Sequence, residues 1–165
     1  MRAHLRVVAE LGPRQLAELL VAVVHDGASV GFLPPLPVDQ VERYWSGLLA
    51  AGVVLLIAET DGRIIGTVQL HLASHPNARH RAEVAKLMVH PAARRQGIGR
   101  QLMHEVEAEA RRRGRSLLVL DTRAGDPSNE LYTSVGFQEA GRIPRYARSG
   151  NGQLDAAVFY YKELT

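Results

Sequence analysis

An apolar run that collides with a proline and restarts at two glycines sets the strongest limit on this fold. It reads "RAEVAKLMVHPAARRQGIGRQLMHEVEAEARRRG" from Arg81 to Gly114. Arg81–Val89 has the apolar, β-branched character of a strand. Pro91 ends it, because proline fixes φ and removes a donor. Gly97 and Gly99 then open a helical pattern that closes at Gly114. Glycines at the mouth of a helix let backbone N–H groups converge on an anion, and the helix adds its positive end. The next apolar run, Ser116–Thr122, is a buried-type strand. A strand–helix–strand passage of this kind belongs to a layered α/β fold.

The remaining elements fall around it. His4–Leu11 reads as a first strand, and "GPRQLAELLVAVVHDG" as a helix with Pro13 at its start and Gly27 at its end. "GFLPPLP" (Gly31–Pro37) is irregular, and "VDQVERYWSGLLAAG" is a second helix. "VVLLIAETDGRIIGTVQLHL" is a hairpin turning at Asp61-Gly62. Ser74–His80 is a polar loop. "DPSNELYTSVGF" is a short helix ending at Gly136, and Asn151–Gln153 turns into the last strand. The sum is about seven strands and four helices: one mixed sheet with helices on both faces. No repeat or linker divides residues 1–165, which form one domain.

Composition narrows the function. The chain has no cysteine, so thiolate zinc sites and cysteine nucleophiles are excluded. The net charge of +3 fits a phosphate-bearing ligand as well as it fits nucleic acid. "RRRGR" (Arg111–Arg115) reads as cations at a helix C-terminus, with nucleic-acid binding the sharper alternative. His71, His75 and His80 lie on strand and loop rather than at helical spacing, so no metal is expected. No run is long enough to span a bilayer and no leader pattern opens the chain, so a cytoplasmic protein is expected, with neither membrane nor nucleic acid as partner.

Three readings of the glycines compete. A Walker A loop needs Gly-Lys-Ser/Thr, whereas Arg100 and Gln101 follow Gly99. A dinucleotide turn needs its glycines directly after the strand and a third glycine where Leu102 stands. The third reading is Arg94-x-x-Gly97-x-Gly99, a loop that cradles phosphate oxygens with Arg94, Arg95 and Arg100 around it.

"LMVHPAARRQGIGRQLM", followed at its usual distance by "NELYTSVGF" (Asn129–Phe137), resembles the signature of the GNAT N-acetyltransferase superfamily. The match runs from about Val53 to Thr165, and is most similar to the tabtoxin-resistance-type acetyltransferases. The resemblance implies a mostly antiparallel seven-strand sheet, splayed in the middle and flanked by four helices. It implies acetyl-CoA as donor, with no metal. It divides the domain into a cofactor part, about 53–165, and a helical acceptor region, 12–50.

The resemblance also assigns roles. Arg94, Arg95, Gln96, Gly97, Ile98, Gly99 and Arg100 would hold the pyrophosphate. Leu87, Met88 and Val89 would pair with the pantetheine arm. Asn129 and Tyr132 would lie beside the thiol, with Tyr132 as acid. Strand alternation sets Glu83 on one face with Leu87, as a candidate base or a solvated edge residue. Asp121 is a second carboxylate, able to act as base or to bind the acceptor, or else a turn residue. Phe32, Tyr44, Trp45 and Tyr146 are candidates for the acceptor site or for the core. The expected reaction moves acetyl to a primary amine of a small molecule, by direct attack in a ternary complex. A non-catalytic acyl-CoA sensor and a protein or peptide acetyltransferase remain as alternatives, and a homodimer stays open.

Overall fold

The computed structural model describes residues 3–8, 12–48 and 51–165. Its strands are β1 (His4–Val7), β2 (Val54–Thr60), β3 (Arg63–Leu72), β4 (Arg81–Val89), β5 (Leu117–Arg123), β6 (Gln138–Arg148) and β7 (Leu154–Glu163). Its α-helices are α1 (Pro13–His25), α2 (Val38–Leu48), α3 (Ile98–Arg112) and α4 (Ser128–Ser134). The first strand is shorter than the expected His4–Leu11, of which Ala9–Leu11 lie outside the described residues. The second helix is described over Val38–Leu48, and Leu49 and Ala50 likewise lie outside the described residues.

The seven strands form one sheet in the order β1-β2-β3-β4-β5-β7-β6. Every neighbouring pair is antiparallel except β4 and β5, which α3 connects. A parallel pair needs such a crossover, since no tight turn can join strands pointing the same way. The β2–β3 hairpin turns at Asp61 and Gly62, with φ of 48° and 74°. Two positive φ values in succession belong to a type I′ turn, whose twist matches that of the strands.

β2 shows how the layers arise. Val54, Leu56 and Ala58 point into a core built with Ile98, Leu102, Met103 and Val106 of α3 and with Tyr132 and Val135 near α4. Val53, Leu55 and Ile57 point the other way, into a core made by Leu16, Leu20 and Val24 of α1 and Val41 and Trp45 of α2. A strand apolar at every position must be covered on both faces. Among the described residues no helix is long and apolar enough to cross a membrane.

One polar tie fastens the first of these cores. The ammonium of Lys162 on β7 donates to Glu107 on α3 at 2.6 Å and to the Val135 carbonyl at 2.7 Å. Burial alone would raise the Glu107 carboxyl. Hydrogen bonds and charge from Lys162 and Arg111 outweigh it and hold the carboxyl below its ordinary value. A depressed carboxylate contributes stability above its unfolded pKa, and that contribution is lost as pH falls through the folded value. Lys162→Met should therefore lower stability at neutral pH by about 1–3 kcal/mol, roughly 3–8 °C in Tm for a domain of this size. Thermal melts of parent and variant should converge as pH drops below the usual carboxylate range near ~4.3.

Candidate active site

The β4–β5 ladder is short. Arg81–Glu83 pair with Leu117–Val119, and there the pairing ends. Beyond that point the strands diverge and a cleft of about 920 Å³ opens between them. Backbone groups on a strand that has lost its neighbour are free to pair with an extended ligand.

A β-bulge falls in the same stretch. Ala85 faces Gln69 of β3, whereas Met88 faces Thr67, so β4 carries one extra residue. Lys86, at φ 52°, sits at this slip, and neither it nor Leu87 has a register partner. A bulge of this kind inverts the alternation of every residue after it. Ala82 and Val84 pack on the α3 core before the bulge, as do Leu87 and Val89 after it, while Met88 enters the α1/α2 core. This corrects the expectation that Glu83 shares a face with Leu87. Glu83 lies opposite His71 and Val119, on the α1/α2 side.

One end of the cleft is the mouth of α3. Gly97 caps this helix at φ 80°, in the left-handed region where a side chain is strained. The first helical bond runs from the Gln101 N–H to the Gly97 carbonyl at 3.0 Å. The N–H groups of Ile98, Gly99 and Arg100 therefore have no partner in the preceding turn. Arg94, Arg95, Gly97, Ile98, Gly99 and Arg100 line this end; Gln96, also expected to hold the pyrophosphate, does not. Two of the three arginines are braced. Arg94 is ion-paired to Asp26 past the end of α1 and donates to the Val89 carbonyl at 3.3 Å. Arg100 donates to the Ser134 hydroxyl at 2.9 Å. A diphosphate fits this mouth by charge and by its open N–H groups.

Tyr132, on α4, lines the middle of the cleft, and its phenol has no hydrogen-bond partner among the described residues. Burial pushes the phenol above its ordinary range, and the charges of Asp121 and Asp126 add to this. Asn129, one helical turn earlier, is employed differently. Its amide donates to the carbonyls of Arg123 and Asp126, both at 2.9 Å, and accepts from Tyr160 at 2.8 Å. It is absent from the cleft lining, and its amide supports the β5–α4 turn.

The other end of the cleft holds Glu83, Lys86, Asp121 and Tyr146 against the loop Gly27–Gly31. Partial burial pushes the Asp121 carboxyl up, and the Lys86 charge pulls it part of the way back. The Asp121 charge acts on both Lys86 and Tyr132. Arg123 binds three chain segments there: the Asp126 carboxylate, the Ser149 hydroxyl and the Gly27 carbonyl, each at 2.9 Å. Tyr146 stacks edge-on against Phe159, which faces Asp121 across the ladder.

The other aromatic candidates lie further back. Phe32 lines an adjoining pocket of about 240 Å³. Tyr44 packs edge-on against Phe32 and accepts from Gln69 at 2.9 Å, and Gln69 in turn bonds His71 at 2.8 Å. Trp45 has no exposed surface and belongs to the α1/α2 core, which corrects its placement at the acceptor site. Lys86 and Arg123 were not singled out from sequence, and an isolated cation on a strand carries no motif that marks it. Among the described residues no group of three or more His, Asp or Glu side chains could hold a metal ion.

The comparisons with known proteins meet this geometry. A curated relative, an uncharacterised N-acetyltransferase in the hisH–hisA intergenic region of Azospirillum brasilense, is 36% identical over 61% of this chain and 61% of its own length. The aminoalkylphosphonate N-acetyltransferase of Salmonella typhimurium is 36% identical over 60% of this chain and 66% of its own. The chain thus spans about three fifths to two thirds of these relatives. A phosphinothricin acetyltransferase from Sinorhizobium meliloti, solved in complex with AcCoA, shares the fold with a TM-score of 0.84 at 21% identity, covering 99% of this chain and 89% of that one. The family model described as "Acetyltransferase (GNAT) family" matches residues 17–137, nearly the whole cleft, and the chain belongs to that family.

Proposed function

We propose that this protein transfers the acetyl group of acetyl-CoA to a primary amine of a small molecule, by direct attack within a ternary complex. One observation carries the reading: a single cleft joins an anion-seeking helix mouth, an unpaired strand edge, an unpartnered phenol and the carboxylates of Glu83 and Asp121. A curated relative named for aminoalkylphosphonates supports a small acceptor.

Bound acetyl-CoA would supply a thioester whose carbonyl carbon accepts the amine and whose sulfur departs as a thiolate. The residues of the chain have separate tasks. The N–H groups of Ile98–Arg100, with Arg94 and Arg95, hold the diphosphate. The free edge of Leu87–Val89 aligns the arm, and holding both reactants in register removes much of the entropic barrier. Asp121 accepts the amine's proton, directly or through one water. Its raised pKa makes it a better match for an ammonium than an ordinary carboxylate. Glu83, on the same face, guides the amine. Tyr132 donates a hydrogen bond to the leaving sulfur. Its raised pKa keeps the phenol protonated and ready to donate, while full transfer to a thiolate near ~8.5 stays uphill.

Gly97→Asp should weaken coenzyme A binding by about ten-fold or more, equal to about 1.4 kcal/mol, because a carboxylate then meets the diphosphate. Asn has the same shape without the charge and tolerates left-handed φ, so Gly97→Asn should retain most of the affinity. Calorimetry reads both, and equal affinities in the two variants would detach the loop from the diphosphate.

Tyr132→Phe should lower kcat by roughly 10²-fold and leave coenzyme A affinity unchanged, as measured by single-turnover kinetics and calorimetry. Binding of acetyl-CoA without turnover of any amine would instead identify a sensor.

The pH dependence separates the carboxylates. A base must be deprotonated, so activity should fall on the acid side through a pKa above the ordinary aspartate value near ~3.9. Asp121→Asn should erase this limb, and Glu83→Gln should keep it while raising the acceptor KM. A pH–rate profile of Asp121→Asn that overlays the parent's would remove Asp121 from the proton path.

A further inference from the structure

We propose that Lys86 selects acceptors that carry an oxyanion, a carboxylate or phosphonate, beside the reacting amine. The inference rests on the transferase reading above and names its substrate class. The bulge turns Lys86 out of the ladder at φ 52°, on the same side of the sheet as Glu83 and Phe32. Its ammonium lies 6.0 Å from the centre of the Phe32 ring. It also lies 3.0 Å from where a Cβ on Gly31 would stand, so the bare backbone of Gly31 at φ 87° makes room for it. Among the described residues it has no hydrogen bond and no carboxylate within ion-pair distance, while Glu83 and Asp121 act on it from further away.

Of the other cations along the cleft wall three are employed, and the fourth, Arg95, is exposed at the α3 mouth. Arg94 holds Asp26, Arg100 holds Ser134, and Arg123 spends its donors on Asp126, Ser149 and Gly27. Lys86 is half-buried and unpaired. An ammonium withdrawn from water without a partner is costly, and an incoming anion relieves that cost. The lysine and the two carboxylates together complement a molecule with one anionic and one cationic end. The anion meets Lys86 beneath the Gly27–Gly31 loop, and the amine meets Glu83 and Asp121 where the strands part. A simple alkylamine would leave the lysine bare.

Two matched probe pairs test the inference: 2-aminoethylphosphonate against propylamine, and L-methionine against L-methioninamide. The parent should favour the anionic member of a pair in kcat/KM. Lys86→Met should raise KM for anionic acceptors by about ten-fold or more, with little effect on neutral ones, and Lys86→Arg should restore part of the preference. Titration of the coenzyme A-saturated protein with each probe reads the preference without turnover. Lack of turnover with every amine would therefore defeat the transferase reading and leave this one to the titration. Equal binding of the matched probes, or an equal loss for both classes in Lys86→Met, would overturn the role of Lys86. A preference confined to phosphonate or to carboxylate would identify which oxyanion the site takes.

Discussion

Three register pairs hold β4 to β5, from Arg81–Leu117 to Glu83–Val119, and the rest of the cleft depends on the ladder stopping there. Had the two strands stayed paired, β4 would present no free edge and Asp121 would be one more residue of a closed sheet. The α3 crossover makes the parting tolerable. Its Val106 and Ala110 share a core with Ala82 of β4 and Leu118 of β5, while its N-terminal glycine mouth lines the cleft. Sheet and helix thus converge on one opening, and the unsatisfied groups of both face the same space.

The opening is braced by charges that join distant parts of the chain. Arg94 reaches Asp26, Arg100 reaches Ser134, and Arg123 reaches both Gly27 and Ser149. Pairs as exposed as Arg94–Asp26 contribute little to global stability. Their effect is on position. They fix the α1–α2 loop, the α3 mouth and the β6–β7 turn relative to one another; the first two line the cleft, and the turn lines the adjoining pocket.

Much of this was legible in the sequence because local chemistry dictated it. Asp61-Gly62 asks for two positive φ values and has them. Pro91 stops β4, Gly97 caps α3, and the all-apolar run of β2 demands cover on both faces. The candidate site was legible wherever backbone alone made it, at Leu87–Val89 and Gly97–Arg100. Side-chain assignments failed where distant partners decide. Asn129 carries no sign that Arg123, Asp126 and Tyr160 will take its amide. Trp45 looks the same in a pocket as in a core. The bulge was the hardest to foresee, since it places a lysine rather than a glycine at positive φ, and that one residue reverses which side chains of β4 face α1 and α2.

The sheet also keeps the two cores apart. Leu102, Val106 and Tyr132 belong to one and Leu20, Trp45 and Met88 to the other, with only the strands between them. Substitutions in separate clusters, too distant to share partners, combine nearly additively in free energy. A lineage of such chains can therefore accumulate changes in α1 and α2 and reshape the cleft wall beside the Gly27–Gly31 loop, while the layer that positions the α3 mouth stays untouched. Divergence on one face carries almost no epistatic debt to the other.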